Sequence, residues 1–176
     1  MAEDYIIRGK RIAFAHLTKD DLQTNLEWME DAELKHLLER KEEKLTFQKQ
    51  LQWLDSLQNN PVKLVFKIIY LDKTKPIYLG NISLFDIAEN HLNTELGLYI
   101  GDPQFRGMGL GKEAIELMIE YARLNLDAKI CIRIKVLQEN EIAYRLYRKL
   151  GFIDCKKSDF PFTCSDNIER KYLVLK

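Results

Sequence analysis

The chain has 176 residues, of which 46% are hydrophobic, and its 27 basic and 27 acidic residues give a formal net charge of zero. This size suits one hydrophobic core, so we expect residues 1–176 to form a single domain. A neutral chain lacks the positive field that drives non-specific nucleic-acid binding, so nucleic acid is not an expected partner. No run approaches the ~20 apolar residues of a membrane-spanning helix, and the N-terminus lacks an apolar signal segment, so we expect a cytoplasmic protein without a membrane partner.

The first third of the chain predicts one short strand followed by three helices. Residues 11–15 have a strand-like composition, and Thr18 with Asp21 forms the hydroxyl-and-acid pattern that starts a helix. Two more helices are predicted at 32–39 and 47–57, where apolar residues recur at helical spacing. We expect these helices to cover one end of a sheet.

Three strands are predicted next, at 64–71, 77–85 and 94–100, because each run is rich in branched and aromatic residues and is bounded by turn residues. They predict an antiparallel meander. A helical pattern then begins at Leu110. Its apolar stripe comprises Leu110, Ala114, Leu117, Met118 and Tyr121. Its polar face, which we expect to be exposed to solvent, comprises Glu113, Glu116, Glu120 and Arg123.

The last third predicts a strand, a helix and two more strands. Apolar residues alternate with others from residue 130 to 136, which predicts a strand parallel to 94–100 through a right-handed crossover. Asn140 and Gly151 are suited to cap the two ends of a helix. A strand that begins at Phe152 is expected to pair with the last strand, 172–175. Together these elements predict an α/β fold with a mixed, mostly antiparallel sheet, a central parallel pair and helices on both faces.

A glycine-rich stretch, residues 104–112, connects the third strand of the meander to the following helix and reads Gln-Phe-Arg-Gly-Met-Gly-Leu-Gly-Lys. Glycine at every second position allows successive N–H groups to converge at a helix N-terminus, which makes a site for a phosphate or pyrophosphate. The spacing does not match a Walker loop, because Arg106 replaces the first glycine and Glu113 replaces the metal-binding Ser or Thr. It also departs from the Gly-x-Gly-x-x-Gly dinucleotide fingerprint.

The remaining pattern, Gln-x-x-Gly-x-Gly between a strand and an amphipathic helix, resembles the acetyl-CoA signature of the GCN5-related N-acetyltransferase (GNAT) superfamily. A second pattern, Asn…Ala-x-x-x-Tyr-x-x-x-Gly-Phe, also resembles this superfamily and comprises Asn140, Ala143, Tyr147, Gly151 and Phe152. The two motifs cover residues 95–153. The N-terminal half is similar only in its order of elements, most like the branch with spermidine, ribosomal-protein and amino-sugar acetyltransferases.

The resemblance implies the acyl-CoA N-acyltransferase fold, whose central parallel pair is splayed, and direct acetyl transfer from acetyl-CoA to a primary amine without a metal. The cysteines likewise show no metal-type spacing. The glycine loop would hold the pyrophosphate, Arg106 or Lys112 would add positive charge, and the strand before the loop would pair with the pantetheine arm. The implied cofactor-binding residues are Leu98, Tyr99, Ile100, Arg106, Gly107, Met108, Gly109, Leu110, Gly111, Lys112 and Asn140.

Two residues are predicted to handle protons. An alkyl amine is almost fully protonated at pH 7, so a base is useful. Glu95 is the candidate, because several relatives place a carboxylate in this strand; it could instead position the amine or a water, or serve the structure alone. His91, in the preceding turn, is a second candidate. Tyr147 corresponds to the tyrosine with which relatives protonate the coenzyme A thiolate. It also lies on an apolar face of its helix, so a role in packing alone is the alternative.

The acceptor is predicted to be a small-molecule amine, such as a polyamine or an amino sugar. Acidic side chains in the first helices would suit a cation, namely Glu27, Glu30, Asp31 and Glu33. Two alternatives stay open: a protein N-terminal acetyltransferase of the ribosomal-protein type, and a non-catalytic acyl-CoA-binding sensor. A homodimer is an assembly that the sequence leaves open.

Overall fold

One eight-stranded sheet, with strand order β1-β2-β3-β4-β5-β6-β8-β7, organises the computed structural model, which describes residues 4–39, 44–58, 60–87, 93–160 and 168–176. The strands are β1 (Ile7–Arg8), β2 (Ile12–His16), β3 (Leu64–Tyr70), β4 (Ile77–Phe85), β5 (Asn93–Ile100), β6 (Cys131–Leu137), β7 (Ile153–Asp154) and β8 (Arg170–Leu175). The helices are α1 (Leu22–Trp28), α2 (Ala32–Leu37), α3 (Phe47–Leu57), α4 (Leu110–Asn125) and α5 (Glu141–Lys149).

Every neighbouring pair of strands is antiparallel except β5 and β6, which are parallel. The predicted mixed sheet with a central parallel pair is therefore confirmed. The predicted pairing of the strand after Phe152 with the last strand is also confirmed, although β7 has only two residues and β8 lies between it and β6. The strand β1 has no counterpart among the predicted elements.

The two faces of the sheet bury different clusters. On one face, α4 and α5 pack against the main core, which includes Phe14, Ile82, Ile132 and Ile134. On the other face, α1 and α3 enclose a smaller cluster of Leu17, Leu22 and Leu54. Helices thus cover both faces, as predicted.

The helical periodicity of the sequence was a good guide to these faces, with two exceptions. Phe47 is one of the apolar residues at helical spacing in 47–57, but its side chain is 46% exposed at the first position of α3. Glu113 was expected on the outer face of α4, and that prediction is wrong, because its carboxylate is held by Arg11.

No helix in the described parts of the chain combines the length and the apolar character that crossing a bilayer requires.

Candidate functional site

The parallel strands β5 and β6 separate near the middle of the sheet. Their pairing covers only three positions, from Asn93↔Cys131 to Glu95↔Arg133. Beyond Glu95, β5 continues to Ile100 with β4 alone as its partner, and β6 continues beside β8. A wedge therefore opens between the two strands, and the splayed pair that the resemblance implied is present.

The backbone of β5 points alternate groups into this wedge. The N–H of Gly101 donates to Leu79 O on β4 at 2.7 Å. Because N–H groups alternate between the two edges of a strand, those of Leu98 and Ile100 face the wedge, whereas that of Tyr99 faces β4. Of the three backbone positions predicted to meet the pantetheine arm, two therefore have the required direction.

The side chain of Tyr99 belongs to a chain of hydrogen bonds on the sheet face beneath α1 and α3. Its hydroxyl accepts from Asn81 Nδ2 at 2.8 Å and donates to Asn25 Oδ1. Asn25 in turn donates to Gln50 Oε1 at 3.1 Å. Buried polar groups need such partners, so this network fixes how α1 and α3 lie on the sheet.

The glycine loop ends at the N-terminus of α4. Gly107 and Gly109 have φ angles of 76° and 75°, a left-handed conformation that favours glycine, and Gly109 is the N-cap. The first hydrogen bond that enters the helix runs from Glu113 N to Gly109 O at 3.3 Å. The N–H groups of the preceding residues in this first turn therefore lack helical acceptors and are directed toward a potential anion.

Arg11, in the turn between β1 and β2, holds the loop from its carbonyl side. Its Nη1 donates to Met108 O at 3.0 Å, and its Nη2 donates to Gly109 O at 3.3 Å. Its backbone N–H and Nε donate to the two carboxylate oxygens of Glu113 at 2.6 and 2.8 Å. Burial alone would raise the pKa of Glu113, but these hydrogen bonds outweigh burial and the pKa lies below its usual value. Sequence reasoning missed this contact.

The two cations predicted beside the phosphates have different surroundings. Arg106 donates through Nε to Ile100 O and through Nη2 to Gly101 O, each at 3.0 Å, and its Nη2 also bonds Asp31 Oδ2 at 3.2 Å. This guanidinium thus already ties the end of β5 to α2. Lys112, in contrast, pairs with Glu116 at 3.4 Å, and both side chains are half-exposed, so an anionic ligand could readily replace this pairing.

Tyr147 lies on α5 with its side chain against the main core. It is 9% exposed, its ring is 5.9 Å from that of Phe152, and burial raises its pKa to about 12. Among the described residues its hydroxyl has no hydrogen-bond partner, although buried tyrosine hydroxyls usually have one. On the same helix, Asn140 caps the N-terminus by accepting from Ala143 N at 3.1 Å.

Glu95 lies at the last paired position before the wedge. Its Oε1 is 3.0 Å from Lys135 Nζ, and the two side chains are 16% and 29% exposed. The carboxylate therefore has a cationic partner already, and an arriving ammonium would compete with Lys135 for it. His91, the other candidate base, lies outside the described residues.

The acidic side chains expected to attract a cationic substrate are engaged within the chain. Asp31 and Glu33 both pair with Arg106, at 3.2 and 3.8 Å, and Glu30 pairs with Lys35 at 3.4 Å. Hydrogen bonds, first from Leu34 N and then from Arg106, hold the pKa of Asp31 below its usual value against the effect of burial. Asp31 thus serves the fold, whereas Glu30 and Glu33 are 68% and 76% exposed, in pairs that an arriving cation could replace.

The described residues contain no cluster of three or more histidine, cysteine or acidic side chains arranged to bind a metal ion. Cys131 and Cys155 form no disulfide bond within the described residues, and Cys164 lies outside them.

A glycine loop at a helix N-terminus beside a splayed parallel pair defines an acyl-CoA-type transferase site, and comparison with known proteins agrees. Residues 11–153 match the family model described as Acetyltransferase (GNAT) domain. The chain therefore belongs to the GNAT acetyltransferase family.

The individual relatives described next share low sequence identity with the chain. The chain is 30% identical to an N-acetyltransferase 9-like protein of Caenorhabditis briggsae over 71% of this chain and 66% of that one. It is 28% identical to alpha/beta-tubulin-N-acetyltransferase 9 of Mus musculus over 85% of this chain and 65% of that one. It thus spans slightly less than two thirds of the length of either relative. Among solved structures, spermidine N-acetyltransferase from Vibrio cholerae in complex with CoA and spermine superposes with a TM-score of 0.79, covering 95% of this chain and 96% of that one; at 16% identity this shows the shared fold.

Proposed function

We propose that this domain transfers an acetyl group from acetyl-CoA directly to a primary amine of a polypeptide. The observation that carries the proposal is the wedge between β5 and β6, which opens directly beside the N-terminus of α4. An extended thioester arm can enter the wedge while its pyrophosphate lies on the helix N-terminus. We also propose a cytoplasmic location, in agreement with the sequence.

In this proposal the cofactor is held mainly by backbone groups. The N–H groups of residues 107–112 surround the pyrophosphate, and Lys112 exchanges Glu116 for a phosphate oxygen. The N–H groups of Leu98 and Ile100 pair with the pantetheine arm. The side-chain amide of Asn140, whose oxygen is used for capping, is available to the arm through its nitrogen.

The transfer forms a nitrogen–carbon bond and breaks the carbon–sulfur bond of the thioester. The amine loses a proton to Glu95, either directly or through a water, and the coenzyme leaves as a thiolate. Tyr147 donates a hydrogen bond to this sulfur. With a tyrosine pKa of about 12 and a thiol value of about 8.5, complete proton transfer in the resting site would be uphill by roughly 5 kcal/mol. We therefore infer that Tyr147 stabilises the leaving thiolate chiefly as a hydrogen-bond donor.

A polypeptide is favoured over a small amine as the acceptor. The mouse relative carries tubulin in its name, and it is more similar to this chain than the spermidine enzyme, whose likeness concerns the fold.

The test is a thiol-release assay with acetyl-CoA and a panel of amines: peptides with free N-termini, peptides with an internal lysine and a blocked N-terminus, spermidine, and glucosamine. We expect release with a peptide class and at most slow release with small amines, and mass spectrometry should show one added acetyl group. Rapid turnover of spermidine alone would overturn the polypeptide assignment. Tight coenzyme A binding without turnover of any amine would instead support the sensor reading.

A further inference from the structure

We propose that an open basic groove on β6, β7 and β8 binds an acidic segment of the acceptor polypeptide that follows its reactive amine. This inference rests on the proposed function and specifies its substrate. The groove has a volume of about 590 Å³, within the size range of ligand sites, and its lining includes Arg133, Lys156, Val174 and Lys176.

A row of aligned side chains leads from Glu95 to the groove, which it enters at Arg133. Strand pairing aligns Glu95 with Arg133, Arg133 with Val174, and Val174 with Ile153. Paired residues project from the same face of a sheet, so these side chains form one row across four strands. At about 4.8 Å per strand the row is roughly 14 Å long. A peptide whose amine lies at Glu95 would therefore reach Ile153 with about four extended residues.

This part of the sheet has one face covered by helices and one face that no helix of the described residues covers. The alternate residues of β6, Ile132 and Ile134, are buried beneath α4 and α5. On the opposite face, α1 and α3 pack over the other half of the sheet. None of the helices in the described ranges covers the row from Arg133 to Ile153, and Ile153 is 52% exposed. The row thus has two apolar members, of which Ile153 is exposed and Val174 is buried at 7% exposure.

The charge of the groove is one-sided. Its lining contains three cations, Arg133, Lys156 and Lys176, and one acid, Asp154. The carboxylate of Asp154 is engaged by the Tyr144 hydroxyl at 3.1 Å and by Arg148 Nη1 at 3.2 Å, both on α5.

Within the described residues, Arg133 and Lys176 form no ion pair. Because the whole chain is neutral, the excess of positive charge in the groove is a local feature. Charge complementarity then selects acidic side chains and disfavours a polyamine.

The experiment compares peptides of one sequence that differ only at positions two to five, which carry glutamate, glutamine or lysine. For the wild type we expect kcat/KM to be roughly tenfold higher with glutamate than with glutamine and lowest with lysine, with the difference shrinking as salt is added. Arg133→Glu and Lys176→Glu should each reduce or reverse this preference. Lys149→Glu, the same charge change on exposed α5, should leave the preference intact.

A gain of activity toward the lysine peptide would exclude misfolding as the cause, because a misfolded variant would lose activity toward all three peptides. Equal kcat/KM values for the three peptides, with turnover intact, would overturn the proposed role of the groove but not the proposed function. No turnover of any peptide would instead overturn the proposed function. Stronger inhibition by a short RNA than by polyglutamate of equal charge would assign the groove to nucleic acid and overturn the peptide proposal.

Discussion

Arg11 and Glu113 join the β1–β2 turn to the first turn of α4 through two hydrogen bonds, which engage both oxygens of the carboxylate. The remaining nitrogens of Arg11 hold the carbonyl groups of Met108 and Gly109. With its carbonyls turned toward Arg11, the loop is free to direct its N–H groups to the opposite side. The pair thus shapes the loop without using any of its donors.

Replacing Arg11 with lysine should raise the KM for acetyl-CoA by about five- to twentyfold with little change in kcat, because an ammonium cannot reproduce the planar set of donors. Steady-state kinetics with varied cofactor would measure this. Arg8→Lys is the matched control, since the Arg8 guanidinium lies over the Tyr5 ring, 5.7 Å from its centroid. Equal KM values for both variants would contradict the role given to Arg11.

Tyr147→Phe should lower kcat by roughly 100-fold, in the range for loss of one hydrogen-bond donor to a developing charge, with a nearly unchanged KM for acetyl-CoA. Its thermal stability should be equal to or higher than that of the wild type, because a buried hydroxyl without a partner opposes folding.

Tyr144→Phe is the control for Tyr147→Phe. It removes a hydroxyl that bonds Asp154, so it should lower stability by about 1 kcal/mol and leave kcat unchanged. If Tyr147→Phe kept full turnover and lost stability, Tyr147 would be a packing residue only.

Alkaline unfolding should also report on Tyr147. Its pKa is raised from 10.0 to about 12, so the folded state retains the proton more tightly than the unfolded state. The associated stability, about 2.7 kcal/mol for two pH units, is fully present below pH ~10 and is lost as the pH rises to ~12. Urea titrations from pH 9 to 12 should therefore show a steeper fall for the wild type than for Tyr147→Phe. An equal fall in stability for both proteins over this pH range would refute the link between the pKa of Tyr147 and stability.

Glu95→Gln distinguishes a base from a residue that only positions the amine. If Glu95 takes the proton, the loss in kcat/KM should be about 100-fold near pH 7 and should shrink as the pH approaches ~10, where free amine becomes abundant. A loss of constant size across the pH range would assign it a positioning role. Glu120→Gln, which changes an exposed carboxylate on α4, is the control and should show neither effect.

Local patterns in the sequence were sufficient for most of the fold. Helix α3 and strand β4 have the predicted bounds, since each carries a complete apolar pattern with clear ends. Asn140 and Gly151 bracket α5 as expected, and Gly151 has a φ of 90°. Capping and periodicity involve neighbours within a few residues, so they can be read without knowledge of the tertiary structure.

Long-range pairing in the site could not be predicted in this way. Arg11 and Glu113 are 102 positions apart, and only the tertiary fold brings them together. Arg106 was expected near phosphate, but the register of β5 and the position of α2 give it three hydrogen-bond partners inside the chain. The Tyr99 N–H points toward β4 rather than into the wedge, and this direction likewise depends on the register between β5 and β4. Each of these outcomes depends on strand register or helix docking, which local sequence does not encode.

The early end of the β5–β6 pairing leaves the sheet as two blocks connected at its centre by three residue pairs. A cofactor arm that fills the wedge would substitute for the missing ladder and make the two blocks mechanically continuous. We therefore expect acetyl-CoA to slow deuterium uptake at the amides of Leu98 and Ile100 and along the inner edge of β6. In such an enzyme the substrate completes the scaffold that positions it, so rigidity would rise and fall with each catalytic cycle.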